Sequence, residues 1–87
     1  MALHQSRRKI DELDGQLLEL LAQRFQICKE IAEYKLKNNL PTQDHTREEE
    51  ILQDRIRKFK KLGYADEKFV AELFEMIMKK SREVQHD

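Results

Sequence analysis

The chain is poor in the residues that punctuate or staple a fold. It has one cysteine, Cys28, so no internal disulfide can form, and no Cys/His cluster has the spacing of a zinc site. That cysteine usage fits a reducing cytoplasm, where we expect the protein to reside. Charge of one sign is also lacking: charged residues make up 39% of the chain, yet the formal net charge is +0. No global field therefore draws the chain to nucleic acid or to a membrane surface, and any cationic function has to be local. Met1-Ala2-Leu3-His4-Gln5-Ser6-Arg7-Arg8 lacks the apolar core of a signal peptide, and no apolar run is long enough to span a bilayer. At 87 residues, the span 1–87 reads as one domain with a thin core.

Proline and glycine are scarce in a patterned way. Between Ser6 and Asn38 there is no proline and only Gly15 among glycines, while Leu, Glu, Lys, Gln, Arg and Ala dominate, which predicts one long helix. The single proline falls in Leu40-Pro41-Thr42-Gln43-Asp44, the first clear break. Thr46-Arg47-Glu48-Glu49 has the form of a capping box that starts a second helix running to about Lys61, and Leu62-Gly63-Tyr64-Ala65 closes it. Asp66 is a candidate N-cap for a third helix whose apolar face is Phe69, Val70, Leu73, Phe74 and Ile77. The class is all-α, three helices with one long N-terminal helix.

That first helix is too long for the domain. At about 1.5 Å per residue it extends about 50 Å, whereas a compact chain of this length has a diameter of about 30 Å. Its apolar residues Ile10, Leu13, Leu17, Leu20, Leu21, Cys28 and Ile31 run along nearly the whole length, so the protruding part needs a second surface. A second copy paired antiparallel about a two-fold axis, giving an intertwined homodimer, is the simplest supplier.

Polar residues interrupt the apolar stripes where core is expected. Arg24 and Lys35 fall within roughly 40° of the line through Leu13, Leu17, Leu20, Cys28 and Ile31. Unpaired buried charge costs several kcal/mol, so the two cations need internal carboxylates, such as Glu30 or Glu33, a route to water, or an anionic ligand. On the third helix Ser81 and Gln85 extend the line of Leu73 and Ile77 at i+4 spacing. Glu48 shares a face with Leu52, Ile56 and Phe59, although a glutamate near a helix N-terminus also favours the dipole. Arg7 lies about 25 Å along the axis from Arg24, so one chain cannot bring both to one pocket, while an antiparallel dimer can. His4, His45 and His86 read as surface residues and Cys28 as core.

Taken together, these segments resemble the all-helical (type II) chorismate mutases over nearly the whole chain. Arg7-Arg8-Lys9-Ile10-Asp11-Glu12-Leu13-Asp14 resembles the family's opening motif, and Leu17-Leu18-Glu19-Leu20-Leu21-Ala22-Gln23-Arg24 leads to its substrate-binding arginine. Lys35 falls at the family's lysine, Pro41, Asp44 and Arg47-Glu48 resemble its loop and second-helix signature, and Ser81 with Gln85 matches its closing motif. The resemblance implies a single chorismate mutase domain that binds the dianion chorismate in a buried cationic pocket and rearranges it to prephenate, a step of the shikimate pathway toward aromatic amino acids. It implies that Arg24 and the partner's Arg7 hold the two carboxylates, with Ser81 bonding one of them. Lys35 is implied at a carboxylate and at the ether oxygen, Gln85 at that same oxygen, and Glu48 with the main chain near Asp44 at the ring hydroxyl. Arg47 is implied as a local brace for Asp44. No metal, no cofactor, no nucleic acid and no membrane is implied. The chain departs from the family pattern at Thr46, where an acidic residue is common, and at Gly15, which weakens the helix by about 1 kcal/mol relative to Ala. Gln85 lies only two residues from the end of the sequence, where fraying is expected until substrate binds.

Two rivals remain at this level: an isochorismate-pyruvate lyase, which shares the fold and much of the pocket, and a helical dimerisation or regulatory module in which Arg24 and Lys35 pair with the chain's own glutamates.

Overall fold

The computed structural model of the protein describes residues 2–41 and 43–85; Thr42 in the expected loop and His86, expected on the surface, lie outside them. The described residues form three α-helices and no strand: α1 (Leu3–Lys37), α2 (His45–Lys61) and α3 (Glu67–Gln85). α1 begins three residues earlier than the sequence suggests, after Ala2, which supplies no side-chain cap.

Each helix end has an identifiable cause. At the end of α1, Asn39 adopts φ 54°, the Leu40 N–H donates to the Lys35 carbonyl at 2.9 Å and the Asn39 N–H to Leu36 at 3.5 Å. This is a Schellman closure with asparagine in the left-handed position, a residue that tolerates it. α2 ends the same way on Gly63, φ 104°, with the Tyr64 N–H donating to Phe59 at 3.1 Å and the Gly63 N–H to Lys60 at 3.0 Å. The accompanying hydrophobic contact is present as well, since the Tyr64 and Phe59 rings stack with centroids 5.0 Å apart. Asp66 caps α3 as expected, its Oδ1 accepting from the Phe69 N–H at 3.1 Å.

The start of α2 corrects the capping box. Its N-cap is Asp44, not Thr46: Asp44 Oδ1 accepts from the Arg47 N–H at 3.0 Å. Aspartate is the stronger cap of the two, and the helix begins two residues sooner to use it. Arg47 therefore braces Asp44 through its backbone, while its guanidinium lies 4.0 Å from Glu50.

α3 is the central element, packed against both α1 and α2. Its inward face carries buried Val70, Met78 and Ser81, with Phe74 and Ile77 half-buried between them. Phe69 and Leu73, expected on that face, are more open, at 50% and 38% exposed. Together with Ile51 of α2, Val70 and Met78 are the buried apolar residues among the described ones, and none reaches complete burial. α1 contributes no buried residue, and every position from Arg7 to Leu20 is exposed. The molecule measures 56 × 26 × 16 Å with a radius of gyration of 16.2 Å, against about 12 Å for a compact chain of this length. The overshoot of the long helix is thus real, and its apolar residues Ile10, Leu13, Leu17 and Leu20 stand open to solvent. No helix of the described residues is long and apolar enough to cross a membrane.

Candidate active site

One cleft opens where the C-terminal half of α1, the start of α2 and the end of α3 meet. Arg24, Cys28 and Lys35 line it from α1; Gln43 and Asp44 from the loop; Arg47, Glu48 and Ile51 from α2; Met78, Ser81, Arg82 and Gln85 from α3. It encloses about 120 Å³ and is open on one side, so the pocket of a single chain is a half-buried cleft and not the enclosed one expected.

The helical repeat explains why these side chains share it. Arg24, Cys28 and Lys35 stand at spacings of four and seven on α1, and Met78, Ser81, Arg82 and Gln85 at three and four on α3. Where the two helices pack, Arg24 Nη1 donates to Ser81 Oγ at 2.7 Å. Ser81 is 5% exposed and its hydroxyl in turn donates to the Ile77 carbonyl at 2.8 Å. That bond fixes the hydroxyl rotor, so its lone pairs face the guanidinium.

Arg24 and Lys35 do not pair with Glu30 or Glu33. Arg24 bonds Ser81 and approaches the Cys28 Sγ at 3.9 Å, while Lys35, half-buried, forms no ion pair among the described residues. The lining includes four cationic side chains (Arg24, Lys35, Arg47, Arg82) and two acidic ones (Asp44, Glu48), an excess of two positive charges. Charge of that sign in a concave, low-dielectric surface attracts a small dianion. Cys28 is not core: it is half-buried on the wall of the cleft.

Of the residues singled out in the sequence, Arg24, Lys35, Asp44, Glu48, Ser81 and Gln85 converge on this cleft. Arg7 does not line it. It lies exposed on the free part of α1, about 25 Å along the helix from Arg24. His4 and His45 are exposed. The sequence reading missed Gln43 and Arg82, which hold the Glu48 carboxylate from opposite sides. Gln43 Nε2 donates to Oε1 at 3.0 Å and Arg82 Nη1 donates to Oε2 at 2.5 Å. A weak signal for Arg82 existed in its place four residues after Met78 and three before Gln85. No group of three or more His, Cys, Asp or Glu among the described residues could hold a metal ion.

Three helices that gather two unneutralised cations, a buried hydroxyl and a terminal amide into one small cleft define a helical domain with a locally cationic pocket. The comparison with known proteins narrows that class. Residues 6–86 match the family model described as chorismate mutase type II, and the chain belongs to that family. It is 36% identical over 83 residues to the chorismate mutase of Methanocaldococcus jannaschii, covering 95% of this chain and 83% of that one. It is 35% identical over 75 residues to the bifunctional chorismate mutase/prephenate dehydratase of Escherichia coli K12, covering 86% of this chain but only 19% of that much longer protein. Among solved structures, a conserved hypothetical protein from Pyrococcus furiosus superposes with a TM-score of 0.74 at 36% identity, covering 95% of this chain and 93% of that chain.

Proposed function

We propose that the cleft is the active site of a chorismate mutase, in which chorismate undergoes an intramolecular [3,3] rearrangement to prephenate. The observation that carries this reading is that Arg24 and Lys35 face the same cleft with no carboxylate of their own to neutralise them. A protein-internal pairing, on which a purely structural helical module depends, is thereby disfavoured, and a doubly negative guest supplies what is lacking.

The reaction breaks the ether C–O bond as the new C–C bond forms, with six electrons moving in one ring and no proton transferred. No general acid or base is needed. The protein has two tasks: to hold the enolpyruvyl arm over the ring, and to stabilise negative charge growing on the ether oxygen. The first is a matter of prepaid conformational entropy. Arg24, already oriented by Ser81, takes one carboxylate through its planar fork. Lys35 and Gln85, reaching the cleft from α1 and α3, serve the ether oxygen as preorganised donors. Glu48 accepts from the ring hydroxyl, with the main chain at Asp44 beside it.

The second carboxylate calls for a cation from elsewhere, because the cleft of one chain is open and Arg7 lies far along the arm. We assign that place to Arg7 of the partner subunit in an intertwined antiparallel homodimer. The exposed stripe Ile10, Leu13, Leu17 and Leu20 supports the pairing, since each such side chain gains about 1.5–3 kcal/mol on full burial.

The test is direct. Purified protein mixed with chorismate is followed by the loss of chorismate absorbance and by identifying the product. Prephenate as product, with inhibition by a bicyclic transition-state analogue, is the expected result. Release of pyruvate from isochorismate, with chorismate left untouched, makes the chain a lyase and overturns the reading.

A further inference from the structure

The Glu48 carboxylate is gripped by two side chains that have no other hydrogen-bond partner among the described residues. Gln43 donates to Oε1 from the loop, and Arg82 donates to Oε2 from the last turn of α3. Glu48 itself sits in the first turn of α2. The two bonds therefore tie three separate segments together at the rim of the cleft. The Arg82 and Glu48 side chains are 39% and 24% exposed, so the pair is partly solvated. Ion pairs of that kind contribute little to stability, which leaves orientation as their main effect.

From this geometry we infer that Arg82 is a positioning residue for the proposed reaction, acting through Glu48 on the part of the substrate that bears the ring hydroxyl. The inference rests on the proposed function and adds a residue to it. An ionised carboxylate offers about four lone-pair sites. Gln43 and Arg82 each occupy one and leave the others to a hydroxyl donor in the cleft. Held from both oxygens, the carboxylate cannot rotate about its terminal torsion, which is broad and soft when free. A hydroxyl that meets a fixed acceptor is bound with little ordering cost at the moment of binding, and the ring to which it is attached is set in one orientation. Arg82 also offsets the Glu48 charge, which otherwise stands in a cleft meant for a dianion. Both effects run through Glu48, and neither requires Arg82 to touch the substrate.

The experiment is a double-mutant cycle read with two substrates. Parent, Arg82→Met, Glu48→Gln and the double variant are assayed for kcat and KM with chorismate. Parent and Arg82→Met are also assayed with an analogue carrying hydrogen in place of the ring hydroxyl. Arg82→Met is expected to lower kcat/KM for chorismate by about tenfold to a hundredfold, the range of one hydrogen bond to a charged group. In the Glu48→Gln background the same change is expected to alter kcat/KM by less than about threefold. With the analogue, Arg82→Met is expected to lose a smaller factor than with chorismate. Arg82→Lys, which keeps the charge and loses the planar fork, falls between parent and Arg82→Met, and it carries the test if Arg82→Met does not fold.

Equal losses in both Glu48 backgrounds, or equal losses with both substrates, give Arg82 a general structural role and overturn the inference. So does an Arg82→Met enzyme as active as its parent. A parent that leaves chorismate unconverted overturns the proposed function and takes this inference with it. Conversion by the parent combined with either failure above overturns the inference alone.

Discussion

Lys35 offers the sharpest separation of folding from function, and Lys35→Met is the change that exposes it. Lys35 is half-buried on the cleft wall, and its ammonium group forms no ion pair or hydrogen bond among the described residues. Nothing in the fold is broken by removing it, and methionine keeps an unbranched stem of similar shape against the helix. Relief of an unneutralised charge works in the stabilising direction. We expect urea denaturation midpoints to move by less than about 0.5 kcal/mol in stability, in either direction, with the m-value unchanged. Activity follows the opposite course. A preorganised donor at a developing oxyanion is worth about 2.7–4 kcal/mol, so kcat should fall about a hundredfold to a thousandfold. The assay is chorismate loss under saturating substrate, run beside the denaturation series on one preparation. A variant that turns over at nearly the parental rate refutes the role given to Lys35. A loss of more than about 2 kcal/mol in stability refutes the description of its side chain as unpaired.

Three further outcomes follow from the same contacts. Ser81→Ala removes the acceptor that orients Arg24; KM is expected to rise with a stability loss of about 1 kcal/mol, and an unchanged KM refutes the orienting role. Arg7→Ala and Arg24→Ala chains, each nearly inactive, are expected to recover up to about a quarter of parental activity when unfolded together and refolded, because half the dimers are mixed and one of their two sites is intact; no recovery refutes the assignment of Arg7 to the partner's cleft. Asp54 bonds Arg55 and Lys58, and these contacts hold its carboxyl below the ordinary carboxylate range. A depressed folded-state value stabilises the fold above the unfolded-state value, an effect lost as pH falls through the folded one. Asp54→Asn should accordingly be less stable than its parent at neutral pH, with the gap closing in acid; a gap that persists to the acid limit contradicts this.

The three helices were legible because each has a long, uninterrupted propensity and a chemically marked end. Asp66 and the Leu62-Gly63-Tyr64 closure were read from residue type alone. The start of α2 differs from the sequence expectation because Asp44 and Thr46 are both cap-forming residue types, and the folded chain caps the helix at Asp44 through the Arg47 N–H, which leaves Thr46 inside the first turn. Arg24, Lys35, Ser81 and Gln85 were visible as polar breaks in apolar stripes, a property of one helix at a time. Gln43 was not, and Arg82 only through its spacing from Met78 and Gln85, because their meaning lies in Glu48, which is 34 residues from Arg82 in sequence. The approach of α3 to α2 creates that contact, and helical periodicity carries no record of it. Cys28 has the stripe position of a core residue, yet the stripe there faces a cleft.

Two shortages in the single chain have one remedy on the proposed pairing. The buried apolar residues Ile51, Val70 and Met78 are few for a chain of this length, while α1 buries none and exposes a row of leucines. The cleft, meanwhile, has an open side, and of its arginines Arg24 alone, held by Ser81, has no carboxylate partner among the described residues, where a dianion offers two carboxylates. Burying the leucine row against a second antiparallel copy brings Arg7 of the partner subunit along that same helix toward the open side. Association then supplies core and catalytic charge in one step, because both are carried on one rigid element. Stability and turnover are linked to the same equilibrium, and both should fall together as the protein is diluted.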